Sequence, residues 1–329
     1  MPKLSCITTT FNDGPAVLTG LRSLLAQSFR DFELIVVDDG STDDTPEILA
    51  ALTDPRLRVI RQANDGLSGA RNKALEQVRG EYVCFLDADD CRPAWALAAI
   101  AAAIGRHDPD VVLCRGVLSE LRDELQPFYD TARFEAIAAL CPGGGIARAE
   151  PAAAEVWPLA QLLEPQSANK AVRTEFLRRT GIGFPNTHFF EDIFFHTHVL
   201  AAAERLAFVH TPCFTYFRRY ARPQITATAS DTRFDSIAVM RMTLQTFADT
   251  LAFHDPAYRA SVLAACLKIA DWCGNTVSHH HRYHFQKMIQ AALRMVDPLW
   301  LHLPDPLPPH LQPFAPLLQR HVEEARHAA

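Results

Sequence analysis

Short apolar runs and helical stripes alternate through the first third of the chain. Leu4 to Thr8 is a compact run that predicts a first strand. Val17, Leu18, Leu21, Leu24 and Leu25 then recur at helical spacing, and Phe32 to Val37 forms a buried second strand that ends in Asp38-Asp39. Thr45 before Pro46 marks a helix start, because a Thr hydroxyl can cap free amides and Pro suits the first turn. That helix is expected to reach about Leu52. Leu57 to Ile60 predicts a third strand and Ser68 to Val78 a helix, stopped by Gly80 in a left-handed conformation. Tyr82 to Leu86 is the fourth strand. The alternation predicts an α/β fold, a parallel sheet covered by helices, whose ligands bind at the carboxyl ends of the strands.

The regularity fades beyond Val111 to Cys114, and Cys141-Pro-Gly-Gly-Gly145 reads as a loop. Order resumes at Ala168 to Val172, followed by helices from about Thr174 to Arg179 and from Glu191 to Ala203. From Asp231 onward the pattern is helical: Ile237, Met240, Leu244 and Phe247 share one stripe, and further helices are expected near 256–278 and 283–296. Six prolines between Pro304 and Pro316 suggest an extended connector before a short final helix. No internal repeat is visible.

Composition narrows the function classes. The chain has 329 residues, with 32 Lys and Arg against 38 Asp and Glu, a net charge of -6, so the basic footprint of a nucleic-acid binder is missing. The longest uncharged apolar stretch, Pro93 to Gly105, is far short of the roughly 20 residues that a membrane span needs. The first residues carry none of the marks of a secretory signal, and eight scattered cysteines form no C-x-x-C pair. The expected setting is therefore the cytoplasm, with reduced, structural thiols and, as a second setting, peripheral association at the inner face of the membrane.

The chemistry is concentrated where strands end. Like-charged carboxylates brought together repel, so the acids after strands two and four need a cation or hydrogen-bond donors. In an extended Asp87-Ala88-Asp89 the two carboxylates point to opposite sides, one toward a metal and the other toward a ribose. Asp39 can accept from a ligand's N–H groups, while the ring of Phe11 can stack on a planar base whose edge is held by the hydroxyls of Thr8-Thr9-Thr10. Arg71, expected in the first turn of its helix where the dipole disfavours a cation, should face an anion such as a diphosphate. Taken singly, each feature has an ordinary counterpart: a solvated turn, a βα turn, a surface arginine.

Together, Leu4 to Asn12, Gln27-Ser28-Phe29 with Phe32 to Asp43, Asn64 to Ala74, and Gly80 to Asp90 resemble the family 2 glycosyltransferases. The resemblance is close over about the first 115 residues and looser to about residue 228, through Asn169 to Arg173, Phe176-Leu177, Gly181, Phe184-Pro185, Glu191-Asp192, Tyr216 to Arg219 and Gln224-Ile225-Thr226. It implies the GT-A nucleotide-diphospho-sugar transferase fold, a mixed and mostly parallel sheet flanked by helices, here with a C-terminal helical region. It further implies an inverting enzyme that uses a nucleotide-sugar, a UDP-sugar first among them, on a glycan, glycolipid or other hydroxyl acceptor. Carried over, Thr9, Phe11, Asn12 and Asp39 bind the nucleobase end, Arg71 lies beside base or diphosphate, Asp87 meets the ribose and Asp89 a divalent Mn²⁺ or Mg²⁺. Asp192, with Glu191, supplies the catalytic base. Arg218 or Arg219 would contact the diphosphate, at most one of them, since neighbours on a strand face opposite ways. The corresponding division assigns 1–115 to the donor, 116–230 to base and acceptor, and 231–329 to a helical region of open role.

Rival classes have specific gaps. A signalling receiver needs its acidic pair on strand one, and an aspartyl phosphatase usually has Thr or Val after its Asp-x-Asp, where this chain has Asp90-Cys91. A nucleotidyltransferase would need a basic Gly-rich N-terminal loop. A nucleotide-sugar-binding relative without catalysis keeps the same acids and stays open. Glu191 and Asp192 can also be ordinary acids at a helix start. The trio His188, Asp192 and His196 would share a face only on one continuous helix, and Pro185-Asn186 argues against that, so His196 is expected in the core or lining the site. His279-His280-His281 with His284 is expected at the surface.

Overall fold

The computed structural model describes residues 1–121, 124–186, 189–218 and 231–327. The chain divides into two compact units: one of 1–153, 166–187 and 203–220, the other of 154–165, 188–202 and 221–329.

The first unit is built on one mixed sheet. Strands β1 (Leu4–Thr10), β2 (Phe32–Asp38), β3 (Leu57–Arg61) and β4 (Tyr82–Phe85) run parallel in the order β3-β2-β1-β4. Beyond β4 the sheet continues through β8 (Lys170–Arg173), β5 (Val111–Leu121), β9 (Arg205–Phe217) and β7 (Gly145–Ala147), with β6 (Glu124–Pro127) paired to β5. β8 is antiparallel to both β4 and β5, whereas β5 and β9 are parallel. The alternation alone predicts a purely parallel sheet. The observed one is mixed, as the GT-A resemblance implies.

Residue alternation explains how both faces are covered. Leu4, Cys6, Leu34, Val36, Tyr82 and Cys84 point to one side, where they pack with Val17, Leu21 and Leu24 of α1 (Val17–Leu25) and with Leu97 and Ile100 of α4 (Ala96–His107). On the other side α3 (Gly66–Leu75) buries Ser68, Gly69, Ala70 and Ala74, small residues that allow close approach to the strands. That face also holds Glu33, which accepts hydrogen bonds from Ser5 Oγ (2.6 Å), Arg79 N (2.7 Å) and Arg79 Nε (2.9 Å). Burial acts to raise the Glu33 carboxyl, and these donors outweigh it, so its pKa lies below the ordinary value.

Several local expectations need correction. Gly80 is not among the positive-φ glycines; a Cβ there would come within 2.5 Å of Ser5 N, so close approach to β1 is what requires glycine. The Thr45 hydroxyl does not cap its own helix, α2 (Thr45–Ala50), but accepts from Gly14 N at 2.8 Å. β5 runs on to Leu121, and α5 (Thr131–Leu140), β7 and α6 (Ala153–Gln161) fill a region expected to be irregular. α6 escapes detection because Pro158 stands inside it.

The second unit is helical. α8 (Asp192–Ala202) and α9 (Asp235–Phe247) belong to it with α10 (Pro256–Thr276), α11 (Arg282–Arg294) and α12 (Ala315–His327), while α7 (Thr174–Thr180) belongs to the first unit. Ile237, Met240, Leu244 and Phe247 are all buried, as their stripe predicts. The proline-rich connector is not wholly extended, since Pro309–Phe314 forms a 3-10 turn. No helix among the described residues is long and apolar enough to cross a membrane.

The Glu33 network sets a pH expectation. A carboxyl whose folded pKa is depressed stabilises fully above its unfolded value, 4.5, and loses that contribution as pH falls through the lower folded value. Glu33→Gln should lower stability at pH 7 by about 2 kcal/mol, from the lost charge-assisted bonds, and the deficit should shrink below that window. Urea unfolding of both proteins at pH 7 and in acid checks it.

Candidate active site

The parallel register brings the sequence-predicted acids to one edge. Thr10 pairs with Asp38 and Ile7 with Phe85, so β1, β2 and β4 deliver Thr9 to Asn12, Asp38-Asp39 and Asp87 to Asp90 to the same carboxyl end of the sheet. Asp39 N donates to Thr10 O (2.9 Å) and Leu86 N to Ile7 O (2.9 Å), which carries the strand pairing into the loops.

Each acid there has its own surroundings. Asp38 is buried, accepts from Ser41 N (2.9 Å) and lies 3.4 Å from Arg61 Nε. Asp39 Oδ1 accepts from Gln62 Nε2 (2.7 Å) and Asp65 N (2.9 Å), and its Oδ2 accepts no hydrogen bond among the described residues. One carboxylate oxygen is thus anchored while the other is left for a donor from outside. Gly40 makes this possible: its φ is +82°, and a Cβ would stand 2.8 Å from Asn64 N in the loop that supplies these donors. Gln62, Asn64 and Asp65 were not expected as site residues. For Asn64 and Asp65 the sequence signal is the run beginning at Asn64, which follows the family pattern without an assigned role, whereas Gln62 lies outside that run.

Asp87 and Asp89 do not lie in extended chain. Asp90 N donates to Asp87 O at 3.1 Å and closes a turn, so alternation does not set their directions. Asp87 Oδ1 meets Arg71 Nη2 at 2.9 Å, Asp89 is half-buried, and the buried Asp90 accepts from Phe217 N at 3.1 Å. Arg71 is the sixth residue of α3 rather than in its first turn, so the dipole argument for it fails. Its guanidinium is almost wholly buried and stands 5.1 Å from the centre of the Phe184 ring. Asn72 holds that segment by accepting from Phe184 N (2.9 Å) and donating to Phe184 O (2.8 Å).

Phe11 presents a ring that is 47% exposed beside half-buried Thr9. Asn12 has a loop-fixing contact: with φ +52°, it accepts from Thr42 N at 2.8 Å. Arg218 is paired with Glu120 at 2.7 Å, while Arg219 and residues 224–226 lie outside the described residues.

Glu191 and Asp192 belong to the helical unit. Asp192 opens α8 and Glu191 is buried just before it. Phe190 takes the left-handed conformation (φ +68°), rare for a bulky residue, and Phe189 N donates to Asp235 Oδ2 at 3.1 Å. His196 is a core residue whose Nε2 lies 3.2 Å from Ala160 O, and His188 is outside the described residues. His279 and His280 are exposed, as expected. Among the described residues no three His, Cys, Asp or Glu converge as a metal site.

The sequence profile described as Glycosyl transferase family 2 matches residues 5–135, the segment that forms this strand edge. Over that segment, less than half of its length, the chain is similar to glycosyltransferase family 2. EpsH of Bacillus subtilis (strain 168), itself named only provisionally as a glycosyltransferase, is 28% identical over 229 residues, 65% of this chain and 60% of EpsH. The GalNAc(5)-diNAcBac-PP-undecaprenol beta-1,3-glucosyltransferase of Campylobacter jejuni is 39% identical over 104 residues, 30% of this chain and 34% of that protein. The chain therefore spans less than two thirds of each of these relatives. Among solved structures, S. aureus TarS 1-349 in complex with UDP-GlcNAc superposes with a TM-score of 0.74 at 22% identity, covering 98% of this chain and 89% of that one. The fold of this chain is accordingly that of the GT-A glycosyltransferases, as in TarS.

The Gly40 turn is a sharp test of how Asp39 is placed. Gly40→Ala should cost about 1–3 kcal/mol through its positive φ alone, with contact against Asn64 adding to it. Guanidinium unfolding should show a lower midpoint at unchanged slope.

Proposed function

We propose that this chain is an inverting glycosyltransferase that moves a sugar from a UDP-sugar to an acceptor hydroxyl in the assembly of a cell-surface glycan. The observation that carries this is Asp39: a buried carboxylate with Oδ1 anchored by two donors and Oδ2 left to accept, beside the exposed Phe11 ring. A planar base with an N–H edge fits that pair. Arg71 and Asp87 form the neighbouring charge pair, suited to diphosphate and ribose. The TarS structures in complex with UDP-GlcNAc and with UDP favour uridine, and relatives named for an undecaprenol-linked glucosyl transfer and for succinoglycan biosynthesis favour a surface glycan.

The donor set suits a hard divalent cation. Asp89 is a half-buried carboxylate in a turn, an oxygen donor of the kind that Mg²⁺ takes together with substrate phosphates. A mannosyltransferase of similar fold, PcManGT from Pyrobaculum calidifontis, has been solved in complex with GDP-Man and Mn²⁺. Bound there, Mn²⁺ or Mg²⁺ would offset the charge that grows on the leaving diphosphate.

Asp192 then acts as general base. It takes the proton of the acceptor hydroxyl as that oxygen attacks the anomeric carbon, and the bond from that carbon to the diphosphate oxygen breaks. One displacement converts an α-linked donor into a β-linked product. The roles divide as 1–115 for the donor, 116–230 for base and acceptor, and 231–329 for the helical region.

Asp192→Asn keeps size and removes basicity. Transfer should fall by about 100-fold or more while UDP affinity is unchanged, measured by product formation from UDP-sugars and by calorimetry. Retained turnover would remove Asp192 from the role, and UDP binding without turnover in the wild type would make the chain a binding-only relative.

A further inference from the structure

The helical unit carries an aromatic cluster beside the Glu191-Asp192 turn. Trp272, on α10, is 41% exposed. Its indole is nonetheless held from two directions: the Phe190 ring meets it edge-on at 6.3 Å and 76°, and the buried Arg233 guanidinium lies 4.5 Å from its centre. Phe190 stands two residues before Asp192 and keeps its left-handed φ of +68° where Asp235 accepts from Phe189 N. The chain thus adopts an uncommon backbone conformation that brings a Phe ring against a Trp next to the acid assigned as base.

We infer that Trp272 is a stacking platform for a pyranose ring of the acceptor, with Phe190 fixing its edge. This rests on the assignment of Asp192 as base. A pyranose offers one face of C–H groups and a rim of hydroxyls, so it needs an aromatic plane set among polar groups. Trp272 has such surroundings, because Asn275 and Thr276, exposed on the next turn of α10, are polar, and the Arg233 guanidinium lies against its ring. An isoprenoid chain would instead need a continuous apolar strip. The immobilised indole contributes contact area without ordering a flexible side chain on binding.

The test needs no turnover. In protein labelled with 5-fluorotryptophan, the four tryptophans give four signals, and the one absent from Trp272→Phe is that of Trp272. Trp157 and Trp300 are buried and Trp95, 53% exposed, is the internal control. Titration with methyl glycosides of glucose, galactose and N-acetylglucosamine should move the Trp272 signal and leave Trp95 still. Saturation transfer from protein to the responding glycoside should fall about fivefold in Trp272→Ala, and persist in Trp272→Phe and in Leu251→Ala, an exposed apolar control. A Trp272 signal that follows no glycoside, moves no more than Trp95, or responds only to farnesyl phosphate overturns the platform. Asp192→Asn should give the same glycoside response as wild type. If Trp272 responds yet Asp192→Asn still transfers, the base assignment fails and the platform stands; if Trp272 is silent and Asp192→Asn is inactive, the reverse holds.

Discussion

The mutual repulsion of carboxylates is the constraint that organises the sheet unit. Asp38, Asp39, Asp87, Asp89 and Asp90 all arrive at one edge because β1, β2 and β4 are parallel and in register. Each must be offset locally, and the offsets differ. Arg61 and Ser41 serve Asp38, Gln62 and the Asp65 amide serve one oxygen of Asp39, Arg71 serves Asp87, and the Phe217 amide serves Asp90. Under the proposed function, Asp39 Oδ2 would accept from a ligand's N–H group and Asp89 would hold a cation.

The scaffold behind that edge is shaped to keep it fixed. Small residues let α3 approach the strands closely, which places Arg71 against Phe184 and sets Asn72 to hold the 184–186 segment. Gly40 and Gly80 serve the same end by different means, one through a positive φ and a close contact, the other through close contact alone. Glu33 and Ser5 are buried under the same strands and the exposed Arg79 reaches in to Glu33, so a change in the ionisation of Glu33 acts on the scaffold rather than on the edge.

The sequence was most legible where periodicity is simple. β1 to β4 and the α9 stripe followed from alternation and helical spacing, and the acidic edge followed from where the strands ended. What escaped was set by tertiary context. Pro158 inside α6 contradicts local propensity, and only packing against the rest of its unit accounts for the helix. β8 runs antiparallel between β4 and β5, which no local pattern encodes. The turn at Asp87 to Asp90 replaced an extended segment because one backbone bond closed it, and Arg71 proved to be mid-helix because α3 begins at Gly66, two residues before the expected start at Ser68. The Glu191-Asp192 pair was visible as a motif, but its membership of the helical unit and the left-handed Phe190 before it were not.

The central claim is that the acidic edge binds a nucleotide together with a divalent cation. Calorimetric titration of UDP into wild type and Asp89→Ala, each with Mn²⁺ and with EDTA, tests it most directly. The account predicts that Mn²⁺ strengthens UDP binding by wild type and that Asp89→Ala loses this dependence. Absence of UDP binding under either condition, or equal strengthening by Mn²⁺ in both proteins, would contradict it.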